Sequence, residues 1–172
     1  MKLIVAILII AAAAPAVAAD ADPLAPGRVG KAQCFTPNLE AKTCRQIVTF
    51  TFGPAGSIET RASTAMNDNL VMHHGGAVTI KAGAVCRRMA AQDLDRATFS
   101  LGGKPASAAD TDALRAQVKK EYADMMGKEL CTSYKRAGRL FAASMTVDGV
   151  PQTDVSDTVL WVNPKDGYRL VP

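Results

Sequence analysis

His73 and His74 are the only imidazoles in the chain, so any metal ligation or acid–base chemistry near neutral pH that needs this group falls to them. Neighbouring side chains on a strand point to opposite faces, and the pair converges on one metal only if the chain turns at Gly75-Gly76. Asp68 lies close by, but a zinc or copper site needs a third ligand that the spacing does not supply. His73 and His74 are therefore the metal or catalytic candidates, set against the plainer reading of a solvated loop. Serines are plentiful, yet neither a Gly-x-Ser-x-Gly elbow nor a Ser-x-x-Lys singles one out as a nucleophile.

Two carboxylate pairs, Asp93 with Asp95 and Asp154 with Asp157, have the proximity that general acid–base work or calcium binding asks for. Neither lies in a glycine-containing acidic loop, and both read as turn and surface residues. Gly75-Gly76 and Gly102-Gly103 lack the spacing that wraps backbone amides around a phosphate. Six methionines, Met66, Met72, Met89, Met125, Met126 and Met145, offer flexible side chains suited either to filling a core poor in aromatics or to an adaptable apolar surface. A cleft between helix and sheet that accepts a lipid or other apolar ligand would draw on Trp161, Tyr122 and Met125 as lining, although Trp161 also reads as plain core. No catalytic residue is assigned, and no cofactor is expected.

The elements that must position these residues begin after a leader. Met1 and Lys2 make a short positive start, Leu3 to Ala14 an apolar run, and Ala16-Val17-Ala18 the small residues beside a signal-peptidase cut, expected after Ala18 or Ala19. A membrane span needs about 20 apolar residues, and Pro15, Asp20 and Asp22 end this run too early. No cysteine follows the cut until Cys34, which argues against a lipid anchor, and no second segment has the length of a span. The expected protein is thus periplasmic or secreted, the alanine-rich leader having a bacterial look, with no transmembrane segment in the mature chain.

An exported chain with an even number of cysteines oxidises them, and four allow three pairings. Cys34–Cys44 and Cys86–Cys131 are favoured, because Pro37 and Asn38 let the first loop turn back on itself. The absence of Cys-x-x-Cys, and of histidine at ligand spacing, speaks against a redox pair or a zinc site.

Residues 20–30, with Pro23, Pro26, Gly27 and Gly30, read as a flexible lead-in, and residues 31–172 as a single domain. Arg45 to Phe52 alternates as a half-buried strand does, with Val48, Phe50 and Phe52 on one face and Ile47, Thr49 and Thr51 on the other. Ser57 to Ala65, Leu70 to Met72, Ala77 to Ile80 and Ala84 to Arg88 are further strand candidates, the middle two hinged about Gly75-Gly76. Ala90 to Arg96 reads as a short helical turn and Thr98 to Leu101 as a strand. The main helix is expected over about 108–126, capped by Ser107, stopped by Gly127 and carrying Leu114, Val118, Tyr122 and Met125 on one face. Leu130 to Lys135, Arg139 to Val147, Val155 to Val162 and Tyr168 to Val171 then predict a four-stranded antiparallel meander, with turns at Asp148-Gly149 and Asp166-Gly167. On its third strand Val155, Asp157, Val159 and Trp161 share one face and Leu160 and Val162 the other. The expectation is an α+β fold of about eight or nine short strands in antiparallel meanders, with one main helix packed on a curved sheet.

The composition suits such a domain: 48% hydrophobic and 21% charged residues exclude intrinsic disorder, and a net charge of +4, interspersed and falling to +3 without Lys2, speaks against a nucleic-acid partner. In function the chain reads as an exported, non-catalytic domain that binds an envelope component or a small apolar ligand. The alternatives are a periplasmic hydrolase or metal-dependent enzyme using His73 or His74, and a structural protein–protein interaction module that pairs through a strand edge.

Overall fold

A computed structural model of the chain describes residues 22–171, so the expected leader over residues 1–19 lies outside the described residues. Twelve strands carry most of the described chain: β1 (Ala32–Phe35), β2 (Thr43–Cys44), β3 (Gln46–Phe52), β4 (Ile58–Ala65), β5 (Leu70–Lys81), β6 (Ala84–Arg88), β7 (Thr98–Leu101), β8 (Lys104–Pro105), β9 (Glu129–Ala137), β10 (Leu140–Val147), β11 (Val150–Val162) and β12 (Arg169–Leu170). Eight of them follow one another in the order β4-β3-β1-β11-β10-β9-β6-β5, and β4 pairs with β5 to close the ring. Every pairing in the ring is antiparallel. The fold is therefore mostly antiparallel β, a closed eight-stranded barrel with added strands and three short α-helices. The α+β expectation of one helix on a curved sheet holds only in outline, because alternation along each strand does not reveal that the first half of the chain pairs with the second.

Closure depends on a close approach. Gly75 stands opposite Arg61 across the β4–β5 seam, and a Cβ added to it would lie 2.2 Å from the Thr60 carbonyl oxygen. A side chain there would hold the two strands apart. Gly75-Gly76 is thus no hinge between two short strands, as expected from glycine's usual turn role, but the middle of the twelve-residue β5. Besides β4, β5 serves two further neighbours: its last residues pair with β6 from Thr79 to Lys81, and its first pair with β7 from Leu70 to His73. Between β6 and β7 the chain forms α2 (Ala91–Asp95), close to the helical turn expected at Ala90 to Arg96.

α1 (Ala25–Arg28) is a correction to the lead-in expected over residues 20–30. Leu24 is fully buried and packs with Ile58 and Val78 against Phe50, Phe52 and Trp161 at the barrel end where β1 begins. Asp22 accepts hydrogen bonds from the Leu24 amide and the Arg28 side chain, whose guanidinium also lies over the Phe52 ring. A single leucine among prolines and glycines has no periodicity to betray it. Only the open barrel end supplies its burial.

The main helix, α3 (Ala108–Glu121), begins where expected, with the Asp110 amide donating to the Ser107 hydroxyl at 3.2 Å. It ends earlier than 126, giving way to a 3-10 turn over Ala123–Met125 before Gly127 at φ +77°. Leu114, Val118 and Tyr122 pack on Met72, Leu94 and Phe99 as the spacing predicts, but Met126 rather than Met125 joins them, since the turn no longer follows the 3.6-residue period.

Asp148-Gly149 turns β10 into β11 with positive φ at both residues, as a tight hairpin requires. The last strand departs from the expected meander. β12 pairs in parallel with β2, not with β11, after a 3-10 turn over Pro164–Asp166 carries the chain away. That segment covers the outer face of β11, where Leu160 and Val162 pack with Ala32, Cys34 and Cys44 against Tyr168, which explains why both faces of β11 carry apolar residues. Both disulfides, Cys34–Cys44 and Cys86–Cys131, are formed. The first closes a span of 10 residues and the second one of 45, for which loop-closure entropy contributes about 3 and about 4 kcal/mol respectively. Among the described residues no helix is long and apolar enough to cross a membrane.

Candidate functional site

In a barrel of eight strands the inward side chains of each strand meet at the centre, and their summed size decides whether the lumen is filled or left open. Here it is left open, with a cavity of about 300 Å³. Its apolar wall comes from seven of the eight strands, including Phe35, Val48, Phe50, Val78, Val85 and Leu130. The Leu24 cluster stands at one end. Phe35 ends β1 and Gln46 starts β3 at the other, where Asp157 also lines the lumen. Asp157 accepts hydrogen bonds from the Thr36 hydroxyl at 2.9 Å and the Thr158 amide at 2.7 Å.

Polar side chains interrupt this wall. Gln33, on β1, is 1% exposed, and its amide oxygen accepts a long hydrogen bond of 3.4 Å from the Tyr134 hydroxyl of β9, which is not a neighbouring strand. Burial pushes the Tyr134 phenol up to about 12, with the contact to Gln33 acting weakly in the other direction. Tyr134 is thus a neutral donor. The amide nitrogen of Gln33 has no partner among the described residues. Turning the amide end for end would pair the nitrogen with Tyr134 and orphan the oxygen instead, so one polar atom of Gln33 stays unmet either way.

Arg87, on β6, occupies the place where β5 and β6 part. It lines the lumen and also the outer depression beside α2. Its guanidinium donates to Asp93 at 3.2 Å, and Asp93 accepts a second bond, of 2.8 Å, from Arg96. Asp93 is only 7% exposed and presses on Gly76, where an added Cβ would meet its carboxylate at 3.1 Å. Of the two arginines, Arg87 reaches the lumen and Arg96 is 68% exposed at the outer surface. The Nε of Arg87 is buried without a partner among the described residues. Next to it on the lumen wall is His74. Burial, reinforced by the charge of Arg87 and opposed by Asp93, lowers His74 to about 4, so the ring is neutral at physiological pH. Gln46 donates to the Thr64 hydroxyl at 2.8 Å, and that hydroxyl lies 3.4 Å from His74 Nε2.

The arrangement is that of a ligand pocket, a partly open, mostly apolar volume with a few convergent polar groups, two of them short of partners among the described residues. The chain matches no protein-family model, no curated protein and no solved structure. The geometry of the lumen carries the functional reading.

The two histidines lie on opposite faces of β5, as strand alternation requires. His73 points out of the barrel, with Nδ1 at 2.9 Å from the Ser63 hydroxyl of β4 and Nε2 at 3.0 Å from the Ser100 hydroxyl of β7. Neither histidine sits in a solvated loop, because both belong to a paired strand. No group of three or more His, Cys, Asp or Glu that could hold a metal occurs among the described residues. Trp161, Tyr122 and Met125 are not brought together around one cleft. Trp161 packs with Phe50 and Leu24 at the plugged end, Tyr122 packs under α3, and Met125 lies in the turn after it. Of the methionines, Met145 reaches the lumen. Asp93, expected on the surface with Asp95, is buried instead, because α2 drives it into the gap between β5 and β6. Gln33, Arg87 and Tyr134 are not among the residues that composition and motifs single out. The available signal was parity: Gln33 alternates with Phe35, and Arg87 with Val85, on faces that the apolar partner marks as inward.

Proposed function

We propose that the protein is an exported, non-catalytic binding domain whose barrel lumen holds a small, largely apolar ligand. The observation that carries this reading is the combination of an unfilled lumen of about 300 Å³ with two residues of its wall, Gln33 and Arg87, that each hold a buried polar atom without a partner among the described residues. A barrel selected only for stability would fill that space, since voids and orphaned donors both cost stability. Two disulfides and the leader-like start support export to an oxidising compartment. The strand-edge module draws no support from a closed ring whose added strands end at the two-residue β8, with Pro105 in it.

Native mass spectrometry of protein purified from its export compartment tests the reading. A reproducible extra mass that is lost on denaturation is the expected result. A bare chain from that source, unable to take up any small amphiphile added afterwards, would refute it.

One observation favours the hydrolase as a second reading: the contact of Ser63 with His73, a nucleophile beside a base. The second nitrogen of His73 meets Ser100, not a carboxylate, so the ring lacks the acidic partner that usually orients it. Labelling by a fluorophosphonate probe, lost in Ser63→Ala, would establish this reading, and absence of labelling in the folded protein would remove it.

A further inference from the structure

The reading of the lumen as a ligand site leaves open what the ligand carries at its polar end, and the unpaired groups bear on that. Gln33 Nε2 and Arg87 Nε are both N–H donors. Tyr134, kept as the neutral phenol, already has its one proton directed at Gln33. Thr60, also on the wall, has its proton committed to the Gly76 carbonyl at 3.0 Å and keeps its lone pairs for accepting. Arg87 Nε–H, which cannot be reassigned, thus asks for an acceptor, and Gln33, on the same wall, offers its amide N–H in the orientation that accepts from Tyr134.

The wall carries one guanidinium, Arg87, and one carboxylate, Asp157, which is engaged by Thr36 and the Thr158 amide. Arg87 spends one bond on Asp93 at 3.2 Å and keeps its Nε–H, and a planar two-oxygen anion suits that remaining edge best. A protonated amine has no lone pair for these donors. The size of the site limits the rest: about 300 Å³ holds roughly ten non-hydrogen atoms at the ~30 Å³ each water occupies in the liquid. The facing wall of Phe35, Val48, Phe50 and Val85 is apolar.

We propose that the lumen binds a monocarboxylic acid with a short apolar tail, its carboxylate received by Arg87 and Gln33 and its tail lying against the phenylalanine and valine wall. The proposal rests on the reading of the lumen as a ligand site. The two can be separated by varying the headgroup at constant chain length.

Octanoate, octanol and octylamine are titrated calorimetrically into the full, oxidised protein after any co-purified ligand has been removed. Octanoate is expected to bind one to one and at least about tenfold tighter than octanol, with octylamine weakest, since a hydrogen bond to a charged group is the margin at stake. Arg87→Met is expected to remove that margin, lowering octanoate affinity by about tenfold or more while leaving octanol unchanged. Should Arg87→Met fail to fold because Asp93 loses a partner, Arg87→Lys keeps a charge for Asp93 but lacks the fixed Nε–H. It is expected to lose part of the octanoate margin. Gln33→Leu removes the other donor, and a several-fold loss for octanoate alone is expected. Equal affinity for octanoate and octanol, tighter binding of octylamine, or octanoate binding indifferent to all three substitutions would overturn the carboxylate while leaving the lumen as an apolar site. If none of the three compounds binds, the lumen reading fails as well.

Discussion

The lumen and the cluster beneath α3 are two ways of treating the interior of one small protein. Under α3, Met72, Leu94, Ala97, Phe99 and Val118 are buried together with no polar side chain among them, and Leu114, Tyr122 and Met126 close over their edge. Within the barrel, similar apolar residues surround a cavity, and Gln33, His74, Arg87 and Tyr134 stand among them. The first is what burial alone produces: apolar area removed from water. The second carries costs that burial does not explain, namely a neutralised imidazole, a phenol with raised pKa and two orphaned donors. The difference separates a region that maintains the fold from one that the fold maintains. β5 shows the same division across its thickness, with His73 satisfied by two serines outside and His74 held neutral inside.

The sharpest test of this comparison is Phe99→Ala. It cuts into the filled cluster and should cost about 3–5 kcal/mol in urea unfolding, without altering what the lumen binds. A loss below about 1 kcal/mol would mean that the cluster is not the closed core described.

Next in size is the pH dependence from His74. In the unfolded chain the ring takes up its proton near 6.5, whereas in the fold it does so only near 4. Between those values the unfolded state binds the additional proton, so His74 costs stability progressively as pH falls from about 6.5 to about 4 and changes nothing further below. The loss is about 3 kcal/mol. Urea midpoints of wild type and His74→Gln at pH 7 and pH 4.5 isolate it from the carboxylates, and a wild type that loses no more than the variant would show the ring to be solvated.

The smallest effect expected on stability is Gln33→Leu. It deletes an unmet polar atom from the lumen and should change unfolding free energy by less than about 1 kcal/mol, in either direction. A cost comparable to that of Phe99→Ala would make Gln33 a structural residue and erase the distinction between the two regions.

How much of this was legible beforehand follows from the range of the forces involved. Local elements were legible. Ser107 caps α3 through a bond three residues away, Asp148-Gly149 makes a hairpin from its own dihedrals, and Val48, Phe50 and Phe52 mark an inward face by simple alternation. The disulfide pairing followed from an export-like start and a short turning loop. Leu24 could not be read, since its partners come from four strands and none is near it in sequence. The same holds for Asp93: a carboxylate beside Asp95 on a short helix reads as surface until β5 and β6 separate and admit it. Trp161, Tyr122 and Met125 were sought as one lining because large apolar residues are conspicuous, but they lie on elements that face different clusters.

By itself, then, the sequence determined where most of the strands and the main helix begin, which face of β3 is apolar and which cysteines pair, because these depend on neighbours within a few residues or on a single covalent choice. Closure of the ring was decided only in three dimensions. It required β4 to meet β5 across Gly75 and β1 to meet β11, a residue separation bridged by packing and not by any local preference. With closure came the lumen, and with the lumen the meaning of Gln33, His74, Arg87 and Tyr134, whose burial is a property of the whole barrel and of none of its strands alone.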